Sequence, residues 1–158
     1  MSIRFTLTVI GFAGLLGLGV AHQVALSAET SSSVGPNLGS TGPITFGPDG
    51  VLFVADNRAA TIYALEMAGL VAEGTPGTKN IMGVDQKIAA LVGIDVREIQ
   101  IADLAVSPIS QNAFLSVSRG RGADAQPFLV RIDGTGAIDV ISLGNIRYTK
   151  VELPNPPD

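Results

Sequence analysis

The chain has no cysteine, no tryptophan and a single histidine in 158 residues. Without cysteine there is no disulfide, no thiol catalysis and no thiolate metal site. His22 closes an apolar N-terminal run, so removal of that run leaves no imidazole either. A Ser-His-Asp triad, a Cys-His pair and a His-ligated zinc are then excluded within this chain. Charge is also sparse: Asp, Glu, Lys and Arg make up 15%, against about 25% in an average soluble domain. The few basic residues form no stripe, which argues against nucleic acid as a partner.

Apolar residues are plentiful at the N-terminus. Met1-Ser2-Ile3-Arg4 is a short positive segment, and Phe5 to Ala21 is an apolar and small-residue run interrupted only by Thr6 and Thr8. Ala25-Leu26-Ser27 then puts small residues at the −3 and −1 positions of a cleavage site, with Gly19-Val20-Ala21 as an earlier alternative. Residues 1–27 therefore read as a signal helix, and the protein as secreted or periplasmic with no stable membrane span after cleavage. An uncleaved N-terminal anchor is the rival reading, since the run approaches the length of a spanning helix. A lipid anchor on cysteine is excluded. Cleavage removes Arg4 and no acid, leaving nine basic against fourteen acidic residues, a net charge of −5. Such a charge mainly favours solubility.

The rest is punctuated by turns, with Gly and Pro spread along its length. Residues 28–42 are rich in Ser, Thr, Gly and Pro and read as a flexible lead-in without a core. Strands follow at Ile44–Phe46, Val51–Ala55 and Thr61–Leu65, with Gly47-Pro48-Asp49-Gly50 as a tight turn. The near-continuous apolar run at Val51–Ala55 predicts a strand covered on both faces. The same plan returns about sixty positions later. Asp103–Val106, Ala113–Val117, Pro127–Ile132 and Ile138–Leu143 are strands, and Ser107-Pro108 stands where Gly47-Pro48 stood. Leu70-Val71-Ala72 is the candidate fourth strand of the first unit. Between the units, Val84, Ile88, Leu91 and Val92 share one helix face, Gly93 is a stop, and Asp95 caps a second short turn through Ile99. The expected fold is mainly β: two four-stranded antiparallel units at 43–83 and 101–150, a helical insertion at 84–100, and a Pro-rich tail at 151–158.

Four-stranded units recurring in one chain describe propeller blades. The stretch from Pro43 to Asn57, with its apolar strand, Pro-Asp-Gly turn and strand ending in Ala55-Asp56, resembles a blade of the NHL and SMP-30/gluconolactonase-like propeller group. The likeness extends over residues 43–66 and more loosely over 103–134, where Ser118-Arg119 replaces the Ala-Asp. It implies an incomplete β-propeller, because a ring needs about four to eight blades. The edges of two blades invite self-association or further blades of a longer protein.

In such a blade the loop between the second and third strands shares a face with the entry to the first. This places Asp56, Asn57 and Arg58 with Asp103, Arg119, Arg121 and Asp124. A cluster of carboxylates and amides suits a hard cation such as calcium, and paired arginines suit an anionic ligand group. The bland reading stands beside both: Asp and Asn commonly end strands by bonding local backbone. The lactonase members of the group hold a metal with acids and an Asn from several blades, and that set does not map here, because no Glu occurs in the first strand of either unit. Gly74 to Lys79 fails the phosphate-loop pattern. The function expected is an exported, non-catalytic binding module for a protein, glycan or small ligand. A piece of a metal-dependent lactonase-type hydrolase and a purely structural repeat are the alternatives. A strand-dominated circular dichroism spectrum of residues 28–158 is expected, and a mainly helical one would remove the blade reading.

Overall fold

A computed structural model of the chain describes residues 29–31, 35–67 and 80–154. The apolar run at 1–27, the Leu70–Ala72 candidate strand and the Gly74–Lys79 segment lie outside the described residues. Among the described residues nine strands form two antiparallel sheets: β1 (Glu29–Ser31), β2 (Ile44–Phe46), β3 (Val51–Asp56), β4 (Thr61–Glu66), β5 (Ile99–Val106), β6 (Ala113–Arg119), β7 (Gln126–Ile132), β8 (Ile138–Val140) and β9 (Tyr148–Glu152). The first sheet has the order β1-β9-β4-β3-β2 and the second β5-β6-β7-β8. One α-helix, α1 (Val84–Val92), lies between β4 and β5 in sequence.

The two sheets repeat one plan. β2-β3-β4 and β5-β6-β7 are successive antiparallel hairpins, with Phe53 opposite Ala64 in the first and Ser116 opposite Leu129 in the second. The first turn closes through the amide of Gly47 on Val51 O at 2.9 Å. Gly50 sits in it at φ 73°, a conformation that a side chain rarely adopts. The fourth strand of the second unit is β8, next in the chain. The position beside β4 is taken by β9, from the far end of the chain, with Ala64 opposite Thr149. Val151 and Glu152, expected in a tail, thus belong to a strand, and the Leu153 amide bonds Ala60 O at 2.8 Å.

Packing follows the alternation of side chains along each strand. Leu52, Val54 and Leu65 are fully buried between the sheets with Phe114 and Leu129 of the second. Phe46 meets Phe114 edge-on, ring centroids 5.0 Å apart. The far face of the second sheet is covered by α1. Ile88 and Ala89 pack there on Leu115, Val117, Val130 and Ile132. Gly93 ends α1 in the left-handed conformation with its amide on Ala89 O, as its position predicts. Asp95 caps a turn of 3-10 helix at Val96–Glu98 by accepting from the Arg97 amide.

Several expectations are corrected. Val51–Ala55 is covered on one face only, since Phe53 on its outer face is 38% exposed. The doubly covered strand is β6, because the helix lies over the second sheet and not the first. Ile138–Leu143 stops as a strand at Val140, and Ile141 and Leu143 turn back with Ile146 and Tyr148 to pack against the inter-sheet core. Residues 35–42 are no flexible lead-in: Leu38 belongs to the core and the stretch from Gly39 onward is bonded to both sheets.

Phe114→Ala is expected to cost about 3–5 kcal/mol in urea unfolding, the range for an aromatic deleted from a close-packed core. Phe53→Ala, on the outer face, is expected to cost about half of that or less. Equal losses would contradict the assignment of the two faces.

Candidate functional site at the shared loop end

Asp56 ends β3 and enters the turn Asn57–Ala60. Its side chain is the centre of that turn. Oδ1 accepts from the Ser40 hydroxyl at 2.7 Å and from the amides of Arg58 and Ala59 at 3.1 Å each. Oδ2 accepts from the Gly39 amide at 2.6 Å. The residue is only 1% exposed. Burial pushes its carboxyl up, but the hydrogen bonds from Ser40, Ala59 and Gly39 outweigh that and hold it below the ordinary carboxylate range. Tyr63 is raised, first by burial and then by the negative charge of Asp56, and its hydroxyl donates to Asn37 O at 3.2 Å. Asn57 lies against Gly42, where a Cβ would come within 2.8 Å of Asn57 Nδ2 and 3.0 Å of Ala55 O. A side chain at this position would push the Asn57 amide aside and crowd the Ala55 carbonyl.

Arg58 leaves the first sheet and reaches the second, its Nη2 donating to Gly122 O at 3.0 Å. Gly122 lies in the β6–β7 loop, which carries Arg119, Arg121 and Asp124. The loop turns at Gly120 and Gly122, with φ of 79° and 66°. Its base is tied by the Gly120 amide to Glu98 O at 2.9 Å. Arg121 Nη2 donates to Arg97 O at 3.3 Å. Arg97 itself grips Asp95 through Nε and Nη2, both at 2.9 Å. The β3–β4 and β6–β7 loops thus share one end of the two sheets, and Arg58, Arg119 and Arg121 are gathered there.

Asp103 is not with them. β5 begins at Ile99, four residues before the position expected from its sequence, so Asp103 falls in mid-strand at a bulge between Ile101 and Asp103. Its Oδ2 accepts from the Ile44 amide at 2.9 Å and its Oδ1 from its neighbour Leu104 at 2.8 Å. Those two amides lower its carboxyl, Ile44 first. Asp103 therefore ties β2 to β5. Asp133 organises the turn after β7: it accepts from the Thr135 hydroxyl at 2.6 Å and from the amides of Thr135 and Ala137 at 2.8 and 3.0 Å.

Three polar side chains escaped the sequence reading. Ser40 completes the Asp56 shell. Thr41 Oγ1 donates to Val117 O at 3.0 Å, and Ser116 Oγ to Gly42 O at 2.8 Å. Ser116 alone left a signal, as the one hydroxyl inside the apolar run Ala113–Val117. Ser40 and Thr41 look like any linker residues until the fold places them.

A cation would have to displace main-chain and hydroxyl donors from Asp56 and Asp103. Among the described residues no group of three His, Cys, Asp or Glu side chains converges on one point. No helix among them is long and apolar enough to cross a membrane. Comparison with known proteins finds no matching family model, no matching curated protein and no matching solved structure.

The lowered carboxyls of Asp56, Asp103 and Asp133 make stability depend on pH. Each contributes stability that is present above its unfolded-state value and is lost as pH falls through its lower folded value. Urea unfolding should weaken steadily below about pH 4. Asp56→Ala should cost on the order of 2 kcal/mol at neutral pH, because it leaves buried donors without an acceptor. The gap from wild type should narrow in acid; a gap independent of pH would show that the carboxylate charge contributes nothing.

Proposed function

We propose that the chain is an exported binding module made of two propeller-type blades, with its ligand-facing end at the β3–β4 and β6–β7 loops. The observation that carries this reading is the face-to-face stacking of two antiparallel sheets that each contain a three-strand meander, β2-β3-β4 and β5-β6-β7, with apolar side chains left open on both outer flanks. On the first sheet, Phe53 and Ile62 are each 38% exposed. Thr45, Ala55, Ala64 and Val151 share that face by register. On the second sheet, α1 covers the centre, but Ile101, Leu104 and Val106 of the edge strand β5 remain 41–53% exposed. They lie opposite Val117, Leu115 and Ala113, hence on the helix side. Flanks of this kind suit further blades, from a longer chain or from other copies.

Export is supported by the charged start, apolar run and small-residue site of residues 1–27. The partner is a protein, glycan or small ligand. A lactonase-type metal hydrolase finds less support, because Asp56 and Asp103 spend their oxygens on backbone amides. Calcium binding at Asp56 and Asn57 remains a direct test of that alternative: titration heat lost in Asp56→Ala would favour it.

Sedimentation velocity tests the blade reading. The chain is expected to associate as its concentration rises, and Phe53→Glu with Ile62→Glu to leave a folded monomer. A wild type that stays monomeric and melts sharply, independent of concentration, would overturn the reading.

A further inference from the structure

Half of the eight positive side chains among the described residues have a carboxylate partner. Arg97 pairs with Asp95, Arg131 with Asp139, Arg147 with Glu66 and Lys150 with Glu152. Arg58, Arg119, Arg121 and Lys87 are in no ion pair among the described residues. Three of these four come to the same end of the two sheets, Arg58 from the β3–β4 turn, Arg119 from the end of β6 and Arg121 from the β6–β7 loop, in a chain whose net charge is negative.

The arginines are also positioned. Arg58 spends one donor on Gly122 O, at 3.0 Å. Arg121 spends one on Arg97 O, at 3.3 Å. A guanidinium has five N–H donors in a rigid fork, so each keeps most of its donors while being anchored by one. Main-chain carbonyls hold the two groups without neutralising their charge. Asp124 and Glu98 border the cluster, and no ion pair joins them to it. The backbone around Gly122 is open, with nothing within 4 Å of the position a Cβ would take.

We infer that Arg58, Arg119 and Arg121 form a binding site for an oxyanion, a phosphate or carboxylate group carried by the ligand of this module. The inference rests on the reading of this end as the ligand-facing one. It narrows the ligand to one bearing an anionic group that a guanidinium fork can grip bidentately. The site joins the two sheets, so it exists only when both are stacked. Neither loop supplies it alone.

Titration of the purified chain with inorganic phosphate, followed by the NMR signals of the arginine Nε–H groups, tests this. Saturable shifts are expected at Arg58, Arg119 and Arg121. Arg58→Gln and Arg121→Gln should each weaken binding about tenfold, and Lys87→Gln should leave it unchanged. A parallel arm with galacturonate identifies the source: saturation by it as well points to an acidic sugar, by phosphate alone to a phosphoryl group, and either supports the site. Linear shifts reproduced by equal chloride would overturn it, as would equal weakening by Lys87→Gln. Circular dichroism on each variant separates lost binding from lost folding. The titration is also independent of self-association. A monomer that binds phosphate would sink the blade reading and spare the site, and an associating chain that ignores phosphate would do the reverse.

Discussion

The arrangement of the two sheets depends on one short strap, Gly39 to Ile44. Its polar groups are bonded to the first and second sheets in turn. Gly39 and Ser40 go to Asp56, Thr41 to Val117 O, the Gly42 amide to Ala55 O and the Gly42 carbonyl to Ser116, and Ile44 to Asp103. Buried main-chain groups need partners, and here those partners lie on opposite sheets. The strap therefore fixes the register in which the two apolar faces of Leu52, Val54, Leu65, Phe114 and Leu129 meet.

The segment from Ile141 to Tyr148 makes the complementary crossing from the other end of the chain. Its apolar residues enter the inter-sheet core, and β9 then completes the first sheet beside β4. The first sheet thus contains chain from before and after the hairpins of the second, which is contiguous in sequence, and the core is closed by residues far apart along the chain. The helix, by contrast, is added to one sheet only. That asymmetry leaves Phe53 and Ile62 open on one flank and the β5 row of Ile101, Leu104 and Val106 partly open on the other.

Carboxylates and guanidiniums divide their work sharply at the loop end. Asp56 is buried and bonded by four donors of the fold, so its negative charge is used to organise backbone; Asp103, in mid-strand away from that end, ties β2 to β5 in the same way. Arg58 and Arg121 face outward, held by carbonyls that leave their charge intact. The loop end is consequently organised by Asp56 and presents arginines, and the proposal of an anionic ligand rests on that division.

Much was fixed locally. Alternating or continuous apolar runs between Gly, Pro and Asp turns place seven of the strands, β2 to β8, with the bounds of β5 and β8 shifted, and the spacing of Val84, Ile88, Leu91 and Val92, stopped by Gly93, places the helix, since both depend on neighbours a few residues away. The proximity of Arg58 to the Arg119–Arg121 loop was also legible, because two hairpins of one plan bring the same turn to the same end. The sequence could not tell that Asp56 and Asp103 would be consumed, because their partners Ser40, Gly39 and Ile44 are defined only by the strap. It could not give β9 its place either: Tyr148–Glu152 is a short stretch whose pairing with β4 spans more than eighty residues. Which face of Val51–Ala55 stays open was likewise a tertiary decision, made when α1 settled on the other sheet. Local pattern specifies a strand and its two faces; only the folded chain decides what, if anything, covers each of them.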